Sequence, residues 1–338
     1  MGIGRTRWAA LRRRIASVGV IVTGVMVGAV IAPIETGFAT AEPAGSVVIP
    51  VQGGPQQTDH LTAARYLKTH PNAAPQGVND FECKPSAEHP RPVVLAHGTD
   101  SSAYSDYSVI GAQLVREGFC VFAPNYGGEV NAKSYGTEDV FQSSAQIGAF
   151  TEQVLAATGA AQVDMVGFSQ GASVTRYWIN QLGGAPKVNQ WVGIASPSYG
   201  GVMYGLVTVA DTVPIVYDLV ALGSSQAAVQ QAAGSPFITA LNRGGDTVPG
   251  VRYTTIGSRV DEMIQPRENI VLKGAGATNL VLQDLCADNL TGHFHMVYDP
   301  YVQQLMLNTL DPAHARQPTC APVALGTGIK EVMLAAHS

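Results

Sequence analysis

Charge is scarce in this chain: 13% of its 338 residues are Asp, Glu, Lys or Arg, against 46% hydrophobic residues. That balance excludes a disordered chain, which lacks the apolar residues to offset chain entropy. Basic residues are scarcest where nucleic acid would need them. Five of the 20 lie at Arg5, Arg7, Arg12, Arg13 and Arg14, and no basic patch follows, which argues against a nucleic-acid partner. There are only four cysteines, Cys83, Cys120, Cys286 and Cys320, and no Cys-x-x-C pair, which points away from a metal site. Internal repeats and an interdomain linker are also missing, so one large domain is expected after the first 82 residues.

What is present begins with an export pattern. The arginines precede an uncharged, largely apolar run from Ile15 to Ala32, and Ala39-Thr40-Ala41 is a small-x-small cleavage pattern. Residues 1–41 are therefore read as a signal peptide, its glycines at 19, 24 and 28 disfavouring a retained anchor. Cleavage removes five basic residues and Glu35, leaving 15 basic against 24 acidic residues, a net of −9. Secretion or residence in the cell envelope makes the cysteines disulfide candidates. Sequential pairing, Cys83 with Cys120 and Cys286 with Cys320, is the connectivity chosen among three.

Residues 42–82, rich in Gly, Pro and Gln, read as an extended N-terminal arm with a short helix near Leu61–Leu67. Apolar runs at 92–96, 119–123, 163–166, 191–195, 253–256 and 280–282 then read as strands. Helical spacing follows several of them, at Tyr107 to Val115, Val140 to Thr158 and Ala172 to Asn180. Strands alternating with helices predict an α/β fold, a mostly parallel sheet flanked by helices. In such a sheet ligands bind beyond the carboxyl ends of the strands. One stretch breaks the alternation. Tyr199 to Gly223 has 16 apolar residues in 25, but includes Pro214 and four glycines. It is expected to form an apolar cap-like insertion, about residues 199–235, rather than a membrane span.

Gly167-Phe168-Ser169-Gln170-Gly171 ends the 163–166 run. A bare Gly-x-Ser-x-Gly is weak in a chain with 37 glycines. Placed between a strand and a helix it has the setting of a nucleophile elbow. Serine needs a base, and the base needs a carboxylate to hold its tautomer. On an elbow scaffold the chain order is Ser, acid, His. Asp261, in the loop after the 253–256 strand, suits the acid, with Glu262 expected to point elsewhere. Asp246, Asp284 and Asp288 are poorer by position. His293 and His295 both follow the 280–282 strand, and the residues alone do not choose between them. Oxyanion donors are expected from Gln170, whose N–H opens the helix, and from Thr99 in the turn after the 92–96 strand. His97 precedes the serine and is read as structural.

The segments PVVLAHGTDSS, GFCVFAPNYG, VDMVGFSQGA, YTTIGSRVDEMIQP and LQDLCADNLTGHFHMVYDP, in that order, resemble the exported bacterial class 2 triacylglycerol lipases of the α/β-hydrolase superfamily. More distantly, they are similar to the fungal lipase B type. The resemblance implies an α/β-hydrolase fold, Ser169 as nucleophile, Asp261 as acid and His293 as base. His293 is chosen over His295 because Phe294, Met296, Tyr298, Asp299 and Pro300 follow it in the family's register. It also supports Thr99 and Gln170 as oxyanion donors and the two sequential disulfides. The fungal type has Pro in place of His97 and Asp in place of Ser198, so alcohol-side selectivity does not carry over.

The expected function is hydrolysis of acylglycerols or other esters at a lipid–water interface, with no metal or cofactor and no stable membrane insertion of the mature chain. Met203, Met263 and Ile264 are expected to line the substrate pocket. The same residues also suit a short-chain esterase, a polyester hydrolase or an acyltransferase. From another class, a catalytically silent binding protein at the cell surface fits the same fold.

Overall fold

The computed structural model describes residues 45–201 and 225–336. Met203 and most of the apolar stretch lie outside the described residues. The centre is a six-stranded sheet in the order β4-β3-β5-β6-β7-β8, with every neighbouring pair parallel. Its members are β3 (Val93–Ala96), β4 (Val121–Phe122), β5 (Val163–Phe168), β6 (Val188–Ile194), β7 (Arg252–Gly257) and β8 (Thr278–Val281). β3 and β5 are buried along their whole length, as strands covered on both faces must be, and their sequences are accordingly near-continuous apolar runs.

The period-2 alternation sorts the core into two layers. Val93 and Leu95 pack with Tyr107, Ile110 and Leu114 from α2 (Ala103–Tyr107) and α3 (Ile110–Arg116), and with Val302 and Met306 from a later helix, Pro300–Leu310. Val94 and Ala96 face the opposite layer. There they join Ile147, Phe150 and Val154 of α4 (Val140–Thr158) and Val174, Trp178 and Ile179 of α5 (Gln170–Gln181). The Asp139 side chain caps α4 by accepting from the N–H groups of Phe141 and Gln142, and Gly159, at φ 72°, closes it in the left-handed region.

The single helix expected from Tyr107 to Val115 is interrupted at Ser108 and Val109. Tyr107, Ile110 and Leu114 still face the sheet across the break, so the apolar period survives it. The 119–123 strand pairs only at Val121 and Phe122. The last strand starts two residues and ends one residue earlier than expected, and Leu282 opens a short helix instead. The N-terminal segment is more ordered than an extended arm. β1 (Gln52–Gly54) and β2 (Ala73–Pro75) form a parallel pair around α1 (His60–Leu67). At the other end, Ile329–Ala336 forms a helix that packs against α1. The expected disulfides are both formed, with Cα separations of 5.8 Å for Cys83–Cys120 and 5.5 Å for Cys286–Cys320. No helix among the described residues is long and apolar enough to cross a membrane.

Candidate active site

Ser169 stands where β5 turns into α5, at φ 51° and ψ −120°. A non-glycine residue held in this region is strained, and such strain at a strand-to-helix turn is what exposes an elbow serine. The glycines on either side permit the turn. A Cβ on Gly167 would lie 2.3 Å from the Ala172 nitrogen, and one on Gly171 1.8 Å from the Ala96 carbonyl oxygen. The Ser169 N–H is itself fixed by the Ile194 carbonyl at 2.9 Å.

The loops after β7 and β8 bring the two partners to this edge. Ser169 Oγ is 3.0 Å from His293 Nε2, and His293 Nδ1 is 2.9 Å from Asp261 Oδ2 and 3.1 Å from Oδ1. With Nδ1–H donated to the carboxylate, Nε2 is left as the acceptor that faces the serine hydroxyl. Asp261 is held in turn by the N–H groups of Met263 and Ile264, at 2.9 and 2.7 Å from Oδ1. Burial works against a charged His293 ring, but the charge and hydrogen bond of Asp261, then Glu262 and Asp106, outweigh it and raise its pKa. His295 is not part of this chain of contacts.

Glu262 corrects an expectation. Its side chain does not point away: Oε2 accepts the His293 main-chain N–H at 2.6 Å, while Oε1 takes the space beside Gly292 that a Cβ there would need, 2.0 Å from where that Cβ would lie. Burial, then the neighbouring charge of Asp261, push its carboxyl up to about 7. The reason lies in the turn. Asp261 is locked by two N–H groups of its own loop, and the next side chain is thereby directed at the start of the His293 segment.

Thr99 lies in the turn after β3, and its hydroxyl is 3.1 Å from Gln170 Nε2 and 3.1 Å from Gln231 Nε2. Asp106, from α2, organises the same turn by accepting the Gly98 N–H at 2.7 Å and the Ser101 hydroxyl at 2.6 Å. Its burial raises its carboxyl to about 6. His97 is structural, as expected. It is fully buried, stacked on Tyr126, and bonded through Nδ1 to the Gly98 carbonyl, and burial lowers its pKa to about 4. Ser198 turns into the interior and donates to the Ile270 carbonyl at 2.8 Å.

A cavity of about 820 Å³ opens on these groups. Ser169, His293, Thr99, Met263 and Ile264 all line it. Met203 lies outside the described residues. The N-terminal and C-terminal segments contribute more than was expected, through Leu67 of α1 and Val332 of the last helix. His60, also from α1, lies on the wall with its Nδ1 3.8 Å from Asp106. Burial lowers its pKa to about 4. His60 and Gln231 had no local sequence signal, since each meets the site through a distant contact, whereas Asp106 reaches Gly98 and Ser101 across only 8 and 5 positions. The last helix did have one: Ile329, Val332, Met333 and Ala336 recur at helical spacing.

The family model described as "Lipase (class 2)" matches residues 90–306. Among solved structures, the chain is similar to Aspergillus fumigatus lipase B over 86% of its own length and 71% of that chain, at 18% identity and a TM-score of 0.55. It is similar to the mature form of Bacillus licheniformis lipase BlEst2 over 70% of its own length and 96% of that chain, at 15% identity and a TM-score of 0.50. At these identities the two structures speak to the fold, which is that of the α/β-hydrolases. No curated protein matches the chain.

Proposed function

This chain belongs to the class 2 lipase family of lipase/esterase-type hydrolases, and from that premise we propose that it is an exported triacylglycerol lipase working through Ser169, His293 and Asp261. The observation that carries the reading is the continuous run of contacts from Ser169 Oγ through His293 to Asp261 on the wall of the cavity. His293 removes the Ser169 proton as Oγ attacks the ester carbonyl, and Asp261 stabilises the imidazolium that forms. The negative charge on the carbonyl oxygen is met by the main-chain N–H groups of Thr99 and Gln170 and by the Thr99 hydroxyl. His293 then protonates the departing glycerol oxygen. A water molecule, deprotonated by the same imidazole, releases the fatty acid and restores Ser169.

Leu67, Met263, Ile264, Phe294 and Val332 give the cavity an apolar wall suited to an acyl chain. On this reading residues 1–41 are a removed signal peptide, 42–82 an N-terminal arm and 83–338 the catalytic domain, with an insertion at about 199–235. The basic start and apolar run of the sequence and the two disulfides support export. The test is hydrolysis of p-nitrophenyl esters from C2 to C16 by the mature chain beside Ser169→Ala. Rates that rise toward long chains and vanish in the variant support the lipase. Ser169-dependent rates confined to C2–C4 make it a short-chain esterase, and an inactive, folded wild type contradicts the hydrolytic reading.

A further inference from the structure

We propose that Gln231 is a positioning residue for the oxyanion hole, fixing the direction of the Thr99 hydroxyl proton from the part of the insertion that follows the apolar stretch Tyr199 to Gly223. The inference rests on the hydrolytic reading of Ser169 and deepens it.

A threonine hydroxyl has two acceptor lone pairs and one proton. Thr99 Oγ1 receives two amide nitrogens, Gln170 Nε2 and Gln231 Nε2, each at 3.1 Å. Neither amide can turn its oxygen to Thr99 without loss, because each nitrogen also donates to a main-chain carbonyl. Gln170 Nε2 is 3.0 Å from the Gly136 oxygen, and Gln231 Nε2 is 3.1 Å from the Ala227 oxygen. A carbonyl oxygen only accepts, so the swapped amide would set oxygen against oxygen. Both lone pairs of Thr99 are thus occupied. No acceptor among the described residues takes its proton, and Thr99 shares the cavity wall with Ser169. The proton is left for an oxygen of the bound ester.

This matters because a hydroxyl free to rotate presents a lone pair as readily as a proton, and a lone pair repels a developing oxyanion. Fixing the dipole before the reaction removes that reorganisation from the barrier. The arrangement is bought at the expense of hydrogen bonding elsewhere. Oε1 of Gln170 and Oε1 of Gln231 are both buried with no partner among the described residues. Gln231 is also fully buried and well anchored. It follows the helix Gln226–Gln230, whose Ala227 N–H reaches the Thr137 carbonyl and whose Gln230 side chain bridges the Val140 N–H and Asp139.

The test measures kcat and KM for Gln231→Met and Gln231→Glu, each with Thr99 present and in a Thr99→Ala background, with active sites counted by phosphonate titration. With Thr99 present, Gln231→Met should lower kcat roughly 10-fold, less than the roughly 10²–10³-fold loss of an oxyanion donor itself because the Thr99 hydroxyl is misdirected and not removed, and leave KM within about two-fold. Gln231→Glu, the closer match in shape, should lower kcat further, since in either protonation state it sets an oxygen that takes the Thr99 proton away from the cavity. In Thr99→Ala neither substitution should lower kcat again. A space-filling role predicts the reverse order, with Glu the milder change, and equal losses in both backgrounds; either result overturns the inference while leaving an active wild type as a hydrolase. A folded wild type inactive on every ester would instead remove the hydrolytic reading and this inference with it.

Discussion

Replacing Glu262 with glutamine should stabilise the fold at pH 8 and leave it nearly unchanged at pH 4. The Glu262 carboxyl is partly buried, with Oε2 on the His293 N–H and Oε1 without a partner among the described residues. Burial first, and the charge of Asp261 second, raise its pKa from 4.5 to about 7. Between those values the folded protein holds a proton that the unfolded chain has lost. Stability therefore falls as pH rises from about 4.5 to about 7, and stays low above that. At about 1.4 kcal/mol per pKa unit, the ionised carboxylate costs at most about 3.5 kcal/mol at pH 8. Glutamine cannot ionise, and its carbonyl can still accept the His293 N–H. Urea denaturation of wild type and Glu262→Gln at pH 4, 6 and 8 measures the difference, read from the midpoints at constant slope. The expected gain is near zero at pH 4 and about 2–3 kcal/mol at pH 8. A difference that does not change with pH refutes the assigned burial of charge. The same substitution removes a group that raises the His293 pKa, so the acid limb of kcat/KM should move to lower pH.

Other outcomes follow from the same contacts. Asp261→Asn keeps the shape of the loop but loses the carboxylate that sets the His293 tautomer, and kcat should fall on the order of 10³–10⁴-fold with the circular dichroism spectrum unchanged. Gly171→Ala places a Cβ 1.8 Å from the Ala96 oxygen, so β3 and α5 can no longer approach, and the variant should yield little soluble, cooperatively folding protein. Removing Cys286–Cys320, which closes a loop of 34 residues, should lower stability by roughly 3–4 kcal/mol in urea melts.

The sheet was legible where both faces are covered. Val93–Ala96 and Val163–Phe168 are buried throughout, so burial wrote itself into the sequence as apolar runs. The elbow was legible because its glycines answer to local crowding. Strand ends were less so, since pairing at Val121 and Phe122 depends on the neighbour β3 and not on the apolar character of Phe119 and Cys120. The parallel pair β1 and β2 has three residues in each strand, too few to carry a period. The order Ser, Asp, His was readable along the chain, and the structure brings Ser169, Asp261 and His293 together as that order implies. The surrounding polar groups were not readable. Glu262 meets His293 across 31 positions and Gln231 meets Thr99 across 132. Contacts at such separations are set by the closure of the fold, and no local pattern announces them.

Hydrolysis by this chain depends on Ser169 acting as a nucleophile activated by His293. Treating the mature chain with a fluorophosphonate and mapping the adduct by mass spectrometry tests it directly. One phosphonylated residue is expected, Ser169, labelled rapidly in the wild type and at least about 100-fold more slowly in His293→Ala. An unlabelled Ser169 in folded protein, or labelling that is indifferent to the loss of His293, would contradict it.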